Sequence, residues 1–324
     1  MESVNIKELN ERIQRESSFV DLLSMEMGKV IVGQKQLIEN LLIGLLANGH
    51  ILLEGVPGLA KTLAINTLAQ AVSAKFSRIQ FTPDLLPADV LGTLIYSQKN
   101  EQFEVHKGPI FANFVLADEI NRTSTKTQSA LLEVMEEGQV TVDGVTRQLP
   151  NPFIVVATQN PVGSAGTQML PESQLDRFMI RISMGYPTME EEVRLIKERQ
   201  DINPLDFIQE IISKRELLEM QDQVKQIYVD DKVLTYLSKI VDATRNHSMI
   251  TLGVSPRGTL ALMDMSKAHA FVQGRTFVLP EDIKRVSKAV LAHRLLLNGK
   301  ARMSHTTEED VVEEIVGKIQ VPKL

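Results

Sequence analysis

The amino-acid sequence predicts an α/β protein with a parallel sheet, helices on both faces of that sheet, and a second, helical domain. Short apolar runs rich in β-forming residues alternate with helical stretches through the first half of the chain. Two pairs of short strands interrupt this alternation, and strand signals stop after Pro187. Alternating strands and helices are typical of a parallel sheet covered by helices.

Five apolar runs have the length and composition of buried strands. They occupy residues 50–54, 78–81, 114–118, 153–158 and 178–183. Two helices precede them, because residues 5–31 carry an apolar residue every three or four positions and residues 34–47 follow the same period. A five-stranded parallel sheet is therefore expected.

Two hairpins are predicted as insertions into this plan. Strand-like residues 93–98 and 102–106 flank Lys99-Asn100-Glu101, and residues 139–142 and 145–149 flank Asp143-Gly144. An Asp-Gly pair between alternating apolar residues is the strongest short hairpin signal. We expect a domain boundary near Pro187, with an α/β domain and its N-terminal helical segment at 1–187 and a helical lid domain at 188–324.

Composition narrows the classes of function. The chain of 324 residues suits two domains and contains no cysteine, which excludes disulfides and thiolate chemistry. The longest apolar stretch, residues 41–53, is interrupted by polar residues and is shorter than the roughly 18–20 residues of a membrane span. No signal-peptide pattern opens the chain. We therefore predict a cytoplasmic protein without a membrane span, and the net charge of −6 disfavours a surface built for nucleic acid.

A phosphate-binding loop is predicted between the first strand and the helical stretch that starts at Leu63. The loop reads Gly55-Val56-Pro57-Gly58-Leu59-Ala60-Lys61-Thr62. Backbone N–H groups and a helix N-terminus at such a junction bind anions. Lys61 would contact the β- and γ-phosphates, and the Thr62 hydroxyl would bind Mg²⁺. Ala60 replaces the usual second glycine, at a position where alanine adopts helical angles without strain.

Two adjacent carboxylates, Asp118 and Glu119, end the apolar run 114–118. Asp118 is placed to hold Mg²⁺ through water, as a Walker B aspartate does. Glu119 is placed to polarise the water that attacks the γ-phosphate. The order and spacing of loop and carboxylates indicate a nucleotide-hydrolysing site.

Three further polar residues are candidates for the same site. Asn160 follows the run 153–158, and groups at the carboxyl ends of parallel strands face ligands, so Asn160 is placed to contact the γ-phosphate or the water. Arg177 precedes the last strand, and Arg257 begins a helix of the second domain. Each arginine is also compatible with a surface or structural role.

Several stretches of the chain resemble the MoxR group of AAA+ ATPases, and the resemblance covers residues from about 32 to 297. The matching stretches are Val32-Gly33-Gln34, the loop 55–62 with its alanine, Gln80-Phe81-Thr82-Pro83-Asp84-Leu85-Leu86-Pro87, Gly108-Pro109-Ile110-Phe111, Ala117-Asp118-Glu119-Ile120-Asn121-Arg122, Thr158-Gln159-Asn160-Pro161 and Leu170-Pro171-Glu172. Together they imply a P-loop AAA+ core with a helical lid and ATP and Mg²⁺ as cofactors.

The resemblance implies a role for each candidate residue. These roles are Walker A for Lys61 and Thr62, Walker B for Asp118 and Glu119, sensor 1 for Asn160, arginine finger for Arg177, sensor 2 for Arg257, enclosure of the adenine for Val32 and Gly33, and further ATP contacts along Gly55 to Leu63. The hairpin at 93–106 resembles the helix-2 insert of this clade, and that at 139–149 resembles its pre-sensor-1 hairpin.

Assembly and partners follow from the resemblance alone. Proteins of this group assemble as hexameric rings and often work with von Willebrand A-domain proteins, as chaperone-like remodellers or metal-insertion factors, and the resemblance implies the same for this chain. In the AAA+ strand order we expect Arg177 on the flank of the sheet opposite the Lys61 loop. It would then act on the nucleotide of a neighbouring subunit.

Two other functions stay open beside the protein remodeller. A nucleic-acid translocase of the same clade needs cationic hairpins, whereas both hairpins here are formally neutral. A nucleotide-dependent switch without turnover is the other alternative. The presence of Glu119, Asn160 and Arg177 favours hydrolysis over a switch.

Overall fold

The computed structural model describes residues 6–55, 61–159, 169–198 and 204–323. Its strands are β1 (Ile51–Glu54), β2 (Phe76–Gln80), β3 (Gly92–Ser97), β4 (Gln102–Lys107), β5 (Phe114–Asp118), β6 (Gln139–Val142), β7 (Val145–Gln148), β8 (Ile154–Gln159), β9 (Ile180–Ser183), β10 (Ile250–Leu252) and β11 (Leu296–Leu297). Five of them form a parallel sheet in the order β2-β5-β8-β1-β9. The predicted five-stranded parallel sheet is confirmed.

Helices cover both faces of this sheet and make up most of the chain after β9. They are α1 (Ile6–Gly28), α2 (Lys35–Leu46), α3 (Lys61–Ala71), α4 (Pro87–Leu91), α5 (Thr125–Glu137), α6 (Glu172–Leu175), α7 (Met189–Glu198), α8 (Lys214–Gln226), α9 (Asp231–Arg245), α10 (Pro256–Val272), α11 (Pro280–Leu291), α12 (Gly299–Met303) and α13 (Glu308–Lys318). Among the described helices, none combines the length and the apolar character needed to cross a membrane.

The two faces of the sheet belong to different apolar clusters, because side chains alternate along each strand. Leu53 of β1 packs in one cluster with helices α1 to α3 and with lid residues such as Tyr236. Leu52, its neighbour in sequence, packs in the other cluster with Leu132 of α5. The lid therefore shares a continuous core with one face of the sheet, which fixes its position against the α/β domain.

Both predicted hairpins are present. β3 pairs antiparallel with β4, and β6 pairs antiparallel with β7. The turn of the second hairpin has φ of 52° at Asp143 and 72° at Gly144. Positive φ at both central residues is what a two-residue hairpin turn requires, and Asp-Gly tolerates it. Local turn chemistry thus accounts for this insertion.

The prediction that strands end at Pro187 is wrong in one respect. The described part of the lid contains a two-stranded antiparallel ribbon of β10 and β11, in which Ile250 pairs with Leu297. Strands of two or three residues are too short to show an alternating pattern in sequence. Their pairing depends on the helices that bring two distant segments together.

Candidate active site

The phosphate-binding junction lies at the carboxyl edge of the sheet. β1 ends at Glu54, and α3 begins at Lys61, so this lysine stands at a helix N-terminus beside the end of a central strand. Its side chain is 9% exposed, and Nζ donates to the carbonyl oxygen of Gly55 at 2.6 Å. Thr62 and Leu63 follow it in the first turn of the helix. The predicted residues Val56, Pro57, Gly58, Leu59 and Ala60 lie outside the described residues.

Three carboxylates lie near enough to Lys61 to affect its pKa. Burial lowers the pKa of Lys61 from its ordinary value, while the negative charges of Asp118, Glu119 and Glu54 act in the opposite direction. The fold thus brings the predicted lysine and the predicted acidic pair into one electrostatic cluster, although 57 residues separate Lys61 from Asp118 along the chain.

Asp118 is held by a neighbouring strand on each side. Thr158 of β8 donates its hydroxyl to Oδ1 at 2.6 Å, and Arg78 of β2 donates Nη2 to Oδ2 at 2.6 Å. An ionised carboxylate has about four lone-pair sites, so acceptor capacity remains for a metal-bound water. Mg²⁺ in nucleotide sites takes one or two protein oxygens besides phosphates and water. The donor set of Thr62 and Asp118 fits that ion.

Glu119 occupies an unusual backbone conformation for its residue type. Its φ of 57° and ψ of 47° lie in the left-handed region, which side chains with a Cβ seldom adopt. The backbone N–H donates to Thr158 Oγ1 at 2.9 Å, and Oε2 accepts from Gln80 at 3.0 Å and from Arg122 at 2.7 Å. These contacts hold the Glu119 carboxylate in place just after the end of β5.

The structure describes the end of strand β8 only as far as Gln159. Asn160 lies outside the described residues, so its predicted role as sensor 1 stays a prediction. Gln159 Nε2 donates to Glu54, and Arg181 of β9 lies 3.7 Å from the other oxygen of that carboxylate. Arg181 also donates to Glu309 of α13 at 2.5 Å. The lid is thus connected by ion pairs to the strand that precedes the phosphate-binding junction.

The residues expected to enclose the adenine lie beside a groove of about 910 Å³ between α2, the segment after β9, and the lid helices α11 and α13. Gly33 lines this groove, whereas Val32 is buried and is not among the residues that line it. Gly33 has φ of +77°, and a Cβ at this position would lie 2.1 Å from the carboxyl carbon of Glu191. The backbone therefore favours glycine at this position, because a positive φ strains residues with a Cβ, whereas the end of the flexible Glu191 side chain can move aside.

Arg177 and Arg257 lie together, at the amino edge of the sheet. Arg177 Nε is 3.7 Å from one carboxylate oxygen of Glu136, and Arg257 donates to the other. Glu136 lies in the last turn of α5 beside Met135, whose carbonyl oxygen contacts His50 just before β1. The structure brings the two predicted arginines to each other and not to Lys61.

The prediction that Arg177 lies on the flank of the sheet opposite the Lys61 loop is wrong. Strand β9, which follows this arginine, pairs directly with β1, and Met179 donates to the carbonyl of His50 at 2.8 Å. Arg177 is therefore separated from Lys61 along the strands, not across the sheet. Four residues of strand span about 13 Å. The order of strands in a sheet depends on which strands pair, and the sequence does not show this. The edge on which a residue lies depends only on whether it precedes or follows its strand.

Several residues that contact the site had no assigned role from sequence. Arg78, Gln80 and Thr158 hold the Asp118–Glu119 pair, and Glu136 joins the two arginines. Gln80 and Thr158 end or nearly end strands adjacent to β5. The rule that selected Asn160, that ligand-facing groups follow strand ends, also identifies these two residues. No sequence pattern indicates Glu136.

Comparisons with known proteins agree with this architecture. Residues 50–180 match the family model of the ATPase family associated with various cellular activities, and residues 242–315 match that of the AAA lid domain. YeaC of Bacillus subtilis, an uncharacterized protein, is 47% identical over 296 residues, which are 91% of this chain and 92% of YeaC. The chaperone MoxR1 of Mycobacterium tuberculosis is 44% identical over 308 residues, 92% of this chain and 81% of MoxR1.

A solved structure shows the same fold over nearly the whole chain. It is a crystal structure from Cytophaga hutchinsonii of a protein assigned as an ATPase, with a TM-score of 0.91 and 44% identity over 98% of this chain and 99% of that one. The sheet order, the lid and the family models define the class as AAA+ ATPases. Given its similarity to MoxR1, the chain belongs to the MoxR family of that class.

Proposed function

We propose that this protein is an Mg²⁺-dependent ATPase that converts ATP and water to ADP and phosphate and remodels protein partners. The observation that carries the proposal is the cluster of Lys61, Asp118 and Glu119 at one edge of the sheet. In this arrangement Lys61 neutralises phosphate charge, Thr62 and Asp118 hold the metal, and Glu119 aligns the attacking water. The metal, when bound, would neutralise charge that develops on the phosphates.

The positions of Arg177 and Arg257 support a ring. Both arginines lie at the amino edge of the sheet, at the end opposite their own Lys61. A cation that stabilises the transferring phosphoryl group must reach it directly. We therefore infer that each subunit supplies both arginines to its neighbour's nucleotide in a closed homo-oligomer, which for this family we take to be a hexamer.

The inserted hairpins favour a protein client over nucleic acid. Tyr96 and Phe103 stack edge to face on the β3–β4 hairpin, with ring centroids 5.3 Å apart, and are 54% and 70% exposed. Aromatic side chains also stack on bases, but single-strand binding sites combine them with a cationic track. Lys99 and Lys107 of this hairpin are balanced by two glutamates. An exposed apolar and neutral surface suits polypeptide.

The chaperone role is tested by trapping the ATP-bound ring. Glu119→Gln, loaded with ATP, is expected to retain its partner on an affinity column, whereas Lys61→Ala, treated identically, is expected to release it. Recovery of a protein with a von Willebrand A domain by the first variant alone supports the proposal. Selective recovery of nucleic acid would instead favour the translocase.

Lys61→Ala is expected to weaken ATP binding by about 10- to 150-fold, because a hydrogen bond to a charged group contributes roughly 1.5–3 kcal/mol. Titration with a fluorescent ATP analogue measures the affinity. Lys239→Ala, which removes an exposed lysine in α9, is the control and is expected to bind normally. Equal affinities for the two variants would contradict the Walker A assignment.

A further inference from the structure

The segment that carries Arg177 is clamped by the lid. Asp176 accepts from Arg294 Nε at 2.8 Å and from the hydroxyl of Ser255 at 2.8 Å. Arg294 follows α11 and is 4% exposed, and it donates further to the carbonyl oxygen of Phe178 at 2.7 Å. Ser255 caps α10, the helix in which Arg257 is the second residue. The backbones that carry the two arginines are thus joined through Asp176.

The side chains of the two arginines are joined as well. Arg177 Nε lies 3.7 Å from Glu136 Oε2, and Arg257 Nη2 donates to Glu136 Oε1, so each carboxylate oxygen serves one guanidinium. Two neighbouring cations repel each other unless a negative charge lies between them. With Glu136 the three side chains keep a formal charge of +1, which still attracts phosphate.

We propose that Glu136 is a positioning residue that holds Arg177 and Arg257 as one unit for the phosphoryl group of the neighbouring subunit's ATP. This inference rests on the proposed function, in which both arginines act on the neighbour. Charge on the transferring group is spread over three oxygens, so two guanidiniums at a defined spacing bind it better than two independent ones. Holding them in place before the neighbour docks removes the entropy cost of ordering two long side chains.

The alternative of a purely structural ion pair is disfavoured by exposure. The side chains of Glu136 and Arg257 are 45% and 44% exposed, and exposed pairs contribute little to folding stability. Removal of Arg294, which is buried, would disturb the fold itself, so the test uses Glu136. Glu133, one turn earlier on α5 and also exposed, provides a matched control.

Glu136→Gln is expected to lower kcat for ATP by about tenfold or more, since small misplacements of catalytic groups cost up to about 10²-fold. KM for ATP and the unfolding temperature are expected to stay near those of the unaltered protein. Glu136→Asp, which keeps the charge on a shorter side chain, is expected to retain an intermediate rate. Glu133→Gln is expected to match the unaltered protein in all three measurements.

Mixing subunits identifies where Glu136 acts. Glu136→Gln has an intact Lys61 site, and Lys61→Ala has an intact arginine unit, so mixed rings are expected to recover activity above that of either variant alone. Normal turnover by Glu136→Gln would overturn this proposal and leave the proposed function intact. The same conclusion would follow if mixing with Lys61→Ala restored the activity of Arg177→Ala but not that of Glu136→Gln. If the unaltered protein does not hydrolyse ATP, the proposed function is overturned, and this inference with it.

Discussion

Arg177→Ala is expected to bind ATP nearly as the unaltered protein does and to hydrolyse it about 10³- to 10⁵-fold more slowly. An arginine supplied to the γ-phosphate of a neighbouring subunit accelerates hydrolysis by about that factor, which corresponds to roughly 4–7 kcal/mol of the activation free energy. Binding is preserved because Arg177 lies at the edge of the sheet opposite Lys61. Steady-state ATPase assays and nucleotide titration measure the two effects separately.

A subunit-mixing experiment tests whether Arg177 acts between subunits. Mixed with Lys61→Ala, the Arg177→Ala variant is expected to regain activity, because some interfaces pair an intact Lys61 site with an intact arginine. Each variant alone at the same total concentration is the reference. Arg215→Ala, which breaks another arginine–glutamate pair in α8, is expected to leave turnover unchanged. Absence of rescue in rings shown to be mixed would mean that Arg177 acts within its own subunit.

Glu119→Gln is expected to keep ATP affinity and to lose about 10²- to 10⁴-fold in turnover, the usual contribution of a general base. The glutamine side chain has nearly the same size, and its amide oxygen still accepts hydrogen bonds from Gln80 and Arg122. Single-turnover hydrolysis and ATP titration in the presence of Mg²⁺ separate the chemical step from binding.

Asp118→Asn is the matched comparison for Glu119→Gln. This change removes the charge assigned to the metal and is expected to reduce the part of ATP affinity that depends on Mg²⁺, which titrations with and without the ion reveal. Thr158 is still able to donate to the amide oxygen of the new side chain. Identical behaviour of the two variants in both assays would contradict the separate roles of Asp118 and Glu119.

Much of the fold was predictable because its signals are local. The three inner strands of the central sheet, β1, β5 and β8, are largely apolar, and the second hairpin carries Asp143-Gly144 at its turn. The junction between β1 and α3 places Lys61 beside a strand end, and β5 ends in Asp118, as its sequence indicates. Periodicity and turn chemistry act between residues a few positions apart, so they can be recognised without knowledge of the fold. The domain boundary near Pro187 stays a prediction.

Other features depend on where distant segments meet. The pairing of β9 with β1, the ribbon of β10 and β11, and the packing of the lid on one face of the sheet required the folded chain. Arg257 and Glu136 are separated by 121 residues, and Arg294 and Asp176 by 118. Nothing in the immediate sequence of Glu136 marks it, since its two arginine partners come from distant segments, one before β9 and one in the first turn of α10. Local sequence decides which elements form, but the burial of apolar surface between them decides which charged side chains become neighbours.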